Sequence, residues 1–317
     1  MTPVIAFGEA LVDMLSNRLG NAVEGPETFT PYAGGAPANV AVACARLGLS
    51  SHFLGMIGDD YFGRFLEQEL SLHGVDISGV VRTHEARTAL AFVSRDEHGE
   101  RTFDFYRPPA ADLLYRVDHL PVGIFAQPAI VHMCSNSLTD PDIADTTLTI
   151  AEMAKRANSL VSVDANLRHN LWEGHKVDTG LVTRLIDLAQ LVKLSSEELD
   201  TLRGDHPRED WLAERLTAGA RLIVITDGPG SIAAYTANGV THMTPPKVKA
   251  VDTTAGGDAF IGGLLAALAE HNWQQDGWQH DTAFLNQALT LACRCGAHAV
   301  TRPGAYSALP TRNDVMN

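Results

Sequence analysis

The segment Asp252-Thr-Thr-Ala-Gly-Gly-Asp258 carries the clearest chemistry in the chain, because its small residues lead into the apolar run Ala259-Phe-Ile-Gly-Gly-Leu. That run predicts a helix over Ala259–Glu270. Ala255, Gly256 and Gly257 would leave backbone N–H groups bare at the positive end of its dipole. Such a terminus holds a phosphate. A carboxylate beside a bound anion repels it, so Asp258 is out of place in an anion site that is only structural. It fits a base that takes a proton from an attacking hydroxyl while the amides stabilise a phosphoryl group in transit. The same residue could serve only to cap the helix, and spacing alone leaves both readings open. A second glycine pair, in Gly34-Gly-Ala-Pro-Ala-Asn39, opens another helix. Its glycines permit close backbone approach, and Asn39 offers a donor and an acceptor to a neutral polyol. Asp13, a few residues past the first apolar run, could accept from two hydroxyls. A simple turn followed by a solvated asparagine accounts for that pattern equally well.

These residues need a scaffold, and the apolar pattern supplies one. Val4–Phe7 reads as a buried strand ending at Gly8-Glu9. Helices are expected over Ala38–Leu47 and Phe62–Leu72, ending at Gly48 and Gly74. Between about residues 80 and 107 the chain turns β-rich. Thr88–Ser94 is one run, Asp96-Glu-His-Gly a polar turn, and Arg101–Arg107 a second run with Phe103 and Phe105 on one face. Beyond Pro109 short apolar runs at Ile130, Leu160, Leu191 and Leu222 alternate with helical segments, as a right-handed parallel sheet requires. Long helices follow at Ala259–Glu270 and Thr282–Val300. The expectation is an α/β chain, 1–317 as one domain. Its doubly wound, mainly parallel sheet would be flanked by helices, with a small β excursion formed by about 12–34 and 80–107.

Other signals narrow the function. Gly228-Pro-Gly230-Ser-Ile-Ala233 matches G-x-G-x-x-A after a strand, with Asp252 downstream as a candidate ribose acid. No helix can follow it: Ser231–Tyr235 and Val240–Met243 read as a hairpin about Asn238-Gly239, and Pro245-Pro246 excludes a crossover helix. Dinucleotide binding is therefore disfavoured. A formal net charge of −14 argues against nucleic acid. No apolar run approaches the length of a bilayer span, and an N-terminus without a basic region that meets Glu9 is not a signal peptide. With 45% hydrophobic residues the chain can bury a core. Four Cys in apolar contexts make no disulfide framework, and a cytoplasmic location is expected. Cys293 and Cys295 would point about 200° apart on a helix and form no metal pair. His132 reads as a satisfied core residue, Trp273 and Trp278 as packing under a loop, and Asp96–Glu100 as a solvated hairpin tip.

The two glycine segments occur together with Asp164-Ala-Asn166-Leu-Arg168, Val192-Lys193-Leu-Ser-Ser-Glu-Glu198, Thr226-Asp-Gly228 and Ala299-Val-Thr-Arg-Pro-Gly304. In this order they resemble the PfkB, or ribokinase-like, carbohydrate kinase family over essentially the whole chain. Arg101-Thr-Phe-Asp-Phe-Tyr-Arg-Pro-Pro-Ala-Ala-Asp and Leu171-Trp172 make the sequence most similar to bacterial fructokinases. The resemblance implies a ribokinase-like fold with a β-sheet lid. It also implies transfer of phosphate from ATP to a sugar primary hydroxyl, D-fructose giving fructose 6-phosphate, with ribose, 2-keto-3-deoxygluconate or an aminoimidazole riboside as other acceptors. It further implies Asp258 as general base and Ala255, Gly256 and Gly257 as anion hole. Asp13, Gly34, Gly35 and Asn39 would hold sugar hydroxyls, Phe103 and Phe105 would lie on the lid, and Asn166 and Arg168 would reach sugar and transferred phosphate. Lys193 and Glu198 would face the nucleotide phosphates, Glu198 acting through water on Mg²⁺. Thr226 and Gly228 would contact the nucleotide, and Cys293 would lie in the adenine-pocket helix. Asp252, Thr254, Ala299, Arg302 and Gly304 would form a loop site for a monovalent cation such as K⁺. A homodimer joined through the lids is implied as well. Ala255 stands where the family has glycine, Ser195 where it has asparagine, Ser231 where a glycine closes the nucleotide loop, and Cys293 where asparagine is frequent. These departures motivate a second reading, a sugar- or nucleotide-binding protein without catalysis, which intact Asp258 and Arg168 oppose.

Overall fold

The computed structural model of the protein describes all residues except 19, 21–24, 96–100, 108, 272, 275–276 and 317. The expected hairpin tip at Asp96–Glu100 lies outside the described residues. In chain order the elements begin with β1 (Val4–Phe7), β2 (Leu11–Ser16), β3 (Phe29–Gly34), α1 (Ala36–Arg46), β4 (Ser51–Gly58), α2 (Tyr61–Leu72), β5 (Asp76–Thr83), β6 (Leu90–Arg95) and β7 (Arg101–Tyr106). There follow β8 (Ile130–Cys134), α3 (Pro141–Arg156), β9 (Leu160–Asp164), α4 (Thr179–Ile186), β10 (Leu191–Ser195), α5 (Ser196–Arg203), α6 (Arg208–Ala218) and β11 (Leu222–Thr226). The chain closes with β12 (Ile232–Thr236), β13 (Gly239–Met243), α7 (Gly256–Glu270), α8 (Thr282–Ala299) and α9 (Arg312–Val315).

Nine strands form one sheet in the order β13-β12-β11-β10-β9-β8-β1-β4-β5, parallel except for the β12–β13 hairpin at one edge. β1 shows why it lies in the interior of the sheet. Val4 and Ala6 pack into a core with α1, α7 and α8, while Ile5 and Phe7 pack into a second core with α3, α4 and α6. A strand apolar on both faces needs helices on both faces. From β1 the chain winds out through β4 and β5, then returns to build β8 to β11 on the other side. The strand order therefore reverses between β1 and β8, the place where sheets of this kind leave a crevice at their carboxyl ends.

α7 is apolar all round and buried, with glycines where its neighbours come closest. A Cβ on Gly262 would stand 2.5 Å from Ala43 Cβ of α1, and one on Gly263 2.8 Å from Cys295 Sγ of α8. Wedged between those helices, α7 aims its N-terminus at the carboxyl edge of the sheet. β3, β2, β6 and β7 make a separate four-stranded sheet, with β2 parallel to β6 and antiparallel pairing elsewhere.

Three sequence expectations are corrected. Residues 80–83 belong to β5 of the large sheet, paired with β4, so this part of the chain joins the small sheet only from Leu90. The β12–β13 turn is centred on Ala237-Asn238, because Gly239 already pairs with Thr236. α7 starts at Gly256 rather than Ala259, which places Asp258 inside its first turn. No helix follows Gly228-Pro-Gly230, as the hairpin reading requires.

Candidate active site

Glu9 follows β1, Ser135 and Asn136 follow β8, Asp164 ends β9, and Ser195 ends β10. All lie at the carboxyl edge of the sheet, facing the N-termini of α1 and α7. Two adjoining cavities occupy this edge. One, of about 230 Å³, is lined by Glu9, Asp13, Asn39, Phe103, Phe105 and Arg107 among others. The other, of about 280 Å³, is lined by Lys193, Ser195, Glu197, Glu198 and Gly257 among others. Asp258, Asn166, Arg168, Thr253 and Thr254 line both. A group passing from one cavity to the other passes Asp258.

Local geometry explains the first cavity. Gly35 caps α1 at φ +101°, a conformation that favours glycine, and a Cβ there would stand 2.5 Å from the Glu9 carbonyl oxygen. A Cβ on Gly34 would stand 2.6 Å from Asp13 Oδ2. Both glycines are thus required for the backbone to lie against the Asp13 and Glu9 side of the pocket. Asn39, in the first turn of α1, donates from Nδ2 to Asp258 Oδ2 at 2.7 Å.

Asp258 is 7% exposed. Burial pushes its carboxyl up to about 7, against the Asn39 hydrogen bond, which favours ionisation; Asp164 adds to the rise, and Lys193 and Arg168 oppose it. Its carboxylate caps no helix, since α7 has Ala255 at its N-cap and no side-chain cap bond. The capping reading is therefore not borne out, and what stands in the first turn of α7 is a buried carboxyl held near neutrality. Ala255 has φ −100°, a value open to alanine, so the departure from glycine leaves the turn intact. The Gly256 amide, expected to be open, is taken by the Thr253 carbonyl at 3.2 Å. Among the described residues no backbone carbonyl accepts from the amides of Gly257 or Asp258, and these are the donors available to an anion.

Lys193 stands beside that turn. Its Nζ would lie 3.2 Å from a Cβ on Gly257 and donates to both oxygens of Asp164, at 2.9 and 3.0 Å. Burial weakens the ammonium, yet Asp164 and Glu198 outweigh it and hold Lys193 charged. Glu198 accepts from the Leu167 and Ser195 amides at 2.9 and 2.7 Å, while Ser195 Oγ caps α5. Serine in place of asparagine thus makes a capping box that fixes the carboxylate.

The loop residues also meet. Asp252 Oδ2 accepts from the Gly304 amide at 2.8 Å, Oδ1 accepts from Thr254, and the Asp252 amide donates to the Val300 carbonyl at 3.1 Å. Ala299 and Arg302 flank that contact, with the Arg302 guanidinium outside, against His298. Thr226 and Gly228 lie at the end of β11, beside Ser195 in register, but line neither cavity. Cys293 is buried in the core, away from both. His132 is a core residue bonded to Ser162 Oγ, its imidazole held neutral with its pKa lowered to about 3 by burial and then by Lys193. Sequence reasoning missed Glu9 and Arg107 as pocket residues. The available signal was an acid one glycine past a doubly buried strand and an arginine directly after a lid strand.

Comparison with known proteins agrees with this geometry. Residues 1–312 match the pfkB family carbohydrate kinase as a whole. The chain is 40% identical over 312 residues to the fructokinase of Klebsiella pneumoniae, covering 98% of this chain and 97% of that one. Its fold superposes on the ATP-bound fructokinase of Xylella fastidiosa with a TM-score of 0.91 and 41% identity, covering 99% and 97% of the two chains. It also superposes on the Vibrio cholerae O395 fructokinase bound to fructose, ADP and calcium, with a TM-score of 0.87 and 35% identity over 99% and 98%. With its crevice at the carboxyl edge and a buried acid between two cavities, the chain belongs to the pfkB family of carbohydrate kinases.

Proposed function

We propose that the protein transfers the γ-phosphoryl group of ATP to the C6 hydroxyl of D-fructose, giving fructose 6-phosphate. The carrying observation is Asp258, shared by two cavities and held by Asn39. The sugar occupies the cavity with Asp13, Asn39 and Gly35, and the nucleotide phosphates the one with Lys193 and Arg168. Asp258 takes the C6 hydroxyl proton as that oxygen bonds to the γ-phosphorus and the bond to the ADP oxygen breaks. The Gly257 and Asp258 amides and the Lys193 ammonium stabilise the charge on the moving group. The fructokinase relatives, one of them bound to fructose and ADP, support this acceptor over a riboside.

Among the described residues no three ligating side chains cluster to cage a metal. That suits Mg²⁺, which keeps its waters and arrives with nucleotide phosphates. Glu198 and Asp164 face the phosphate cavity and would receive its hydration shell, and the ion would offset phosphate charge. The juxtaposed loops at 252–254 and 299–304 would be the place of K⁺, as the resemblance implies. ADP release would be measured with ATP–Mg²⁺ against fructose, ribose, 2-keto-3-deoxygluconate and a riboside, with and without K⁺. Fructose is expected to be strongly preferred. Turnover only of another acceptor would overturn the substrate, and nucleotide binding without turnover would favour the binding-only reading.

The small sheet serves as lid over the sugar, since Phe103 and Phe105 line that cavity. Its other face carries Phe29, Phe92 and Tyr106, with ring centroids 5.0 Å apart in each successive pair and Tyr106 62% exposed. That apolar face and the edge strands β3 and β7 support a homodimer joined lid to lid. Sedimentation should give twice the chain mass, and Tyr106→Asp combined with Phe29→Asp should give the monomer; a monomeric unsubstituted protein would refute the pairing. Among the described residues no helix is long and apolar enough to cross a membrane. Four buried free thiols are in keeping with a reducing cytoplasm.

A further inference from the structure

The sugar cavity contains more charge than phosphoryl transfer uses. Glu9 is 2% exposed, and its Oε1 accepts from Asn136 Nδ2 at 2.9 Å and from the Ala36 amide at 3.3 Å. Oε2 faces the Cys134 thiol at 3.8 Å, a weak donor that leaves most of its acceptor capacity unused. Asn136 Oδ1 and Asn39 Oδ1 are buried without a hydrogen-bond partner. Buried acceptors left in this condition in a native protein call for a donor, and a polyhydroxylated ligand brings several.

Arg107 explains how the acid is tolerated. It directly follows β7 of the lid, and its guanidinium, 2% exposed, donates through Nε to Asp112 Oδ2 at 2.7 Å and through Nη2 to the Asn136 carbonyl at 2.9 Å. Burial raises the Glu9 carboxyl and the Arg107 charge opposes that rise. The same arginine therefore ties the lid strand to the pocket floor and supplies a counter-charge to the acid. Its own bonds lie with Asp112, Asn136 and Thr139, so it acts on Glu9 through Asn136 and through space.

α1 relates this acid to the base. Ala36, its first residue, donates to Glu9, while Asn39, three residues on, donates to Asp258. Three residues rise about 4.5 Å along a helix. The two carboxylates are thus held one turn apart along α1 and line one cavity, so a sugar whose primary hydroxyl meets Asp258 can offer a different hydroxyl to Glu9. We infer that Glu9 is the specificity-determining acceptor for a hydroxyl at the C1–C2 end of the ketose, with Arg107 as the residue that positions it. The inference rests on the reading of this cavity as the sugar site.

Steady-state kinetics of the full-length protein and of Glu9→Gln would be compared on fructose, on 1-deoxyfructose, which lacks the C1 hydroxyl, and on 2,5-anhydromannitol, which lacks the anomeric hydroxyl. Exchanging an acceptor oxygen for an NH₂ donor should lower kcat/KM on fructose about 10- to 100-fold, the scale of a lost hydrogen bond to a charged group. The loss should sit in the sugar KM, with kcat and the ATP KM little changed. On the analogue lacking the accepted hydroxyl, the two proteins should agree within about threefold. Equal losses on all three acceptors would overturn the inference, because Glu9 would then only prop the pocket. Glu9→Asp, which keeps the charge and withdraws it by one methylene, carries the same comparison if Glu9→Gln does not fold. Failure of the unsubstituted protein to phosphorylate fructose would instead overturn the sugar-site reading, and this inference with it.

Discussion

Asp258→Asn is expected to lower kcat by about 10²- to 10⁴-fold, the range a positioned general base supplies, while making the protein more stable above neutral pH. The two effects share one cause. Burial holds the carboxyl up to about 7, whereas in the unfolded chain it titrates near the usual value of about 4. Between those limits the folded state holds a proton that the unfolded state has lost, so stability falls as pH rises from about 4 to about 7. Above that window the buried charge costs a constant few kcal/mol. Asparagine keeps an oxygen to accept from Asn39 Nδ2 and carries no charge. Its Tm advantage should be absent at pH 4, grow to neutrality and then level off. Over the same range the kcat/KM of the unsubstituted protein should fall about tenfold per pH unit below about 7, as the base is protonated. Thermal denaturation and initial rates on one pH series test both. Near-full kcat in Asp258→Asn would remove the base from the mechanism, and a Tm loss would mean that the carboxylate supports the fold instead.

How far the sequence exposes this site differs from residue to residue. Asp258, Asn39 and the glycines were legible because each lies in a short segment where residue type and helix position together constrain the chemistry. The doubly wound core was legible because β1 and β8 to β11 are short runs apolar on both faces. β4 and β5 were not resolved as a pair, because Ser51–Gly58 mixes polar and small residues and Asp76–Thr83 is an edge strand with a half-exposed pattern. Glu9 and Arg107 were missed for a different reason. Their meaning comes from Asn136, Asp112 and Ala36, which no local spacing joins to them; only the shared carboxyl edge does. The Gly256 amide was misjudged because a single turn bond to Thr253 decides whether it is open. That bond depends on where the helix begins, and sequence patterns locate helix ends less well than helices.

The buried pair of Lys193 and Asp164 offers the second large effect, and it separates what the fold needs from what the reaction needs. The lysine interrupts the apolar run of β10 and the aspartate ends β9, so neighbouring parallel strands bring opposite charges together in register. Their side chains are 9% and 3% exposed. Removing either partner strands the other charge, so Lys193→Met and Asp164→Leu alone should each destabilise by about 3–5 kcal/mol. The double substitution leaves neither charge and fills the volume with apolar groups, so most of that stability should return. Activity should not return with it. Lys193 stands against Gly257, where the Gly257 and Asp258 amides face the phosphate cavity, and an apolar side chain there offers nothing to the transferring phosphoryl group. The double variant is therefore expected to melt near the unsubstituted protein yet retain at most about one hundredth of its kcat. Denaturant unfolding and initial rates on the four proteins of the cycle decide the matter. Recovery of kcat together with stability would show that the pair only supports the fold. Stability without kcat would show that the pair serves the reaction, the lysine beside the amides and the aspartate beside the hydrated metal, and not only the fold.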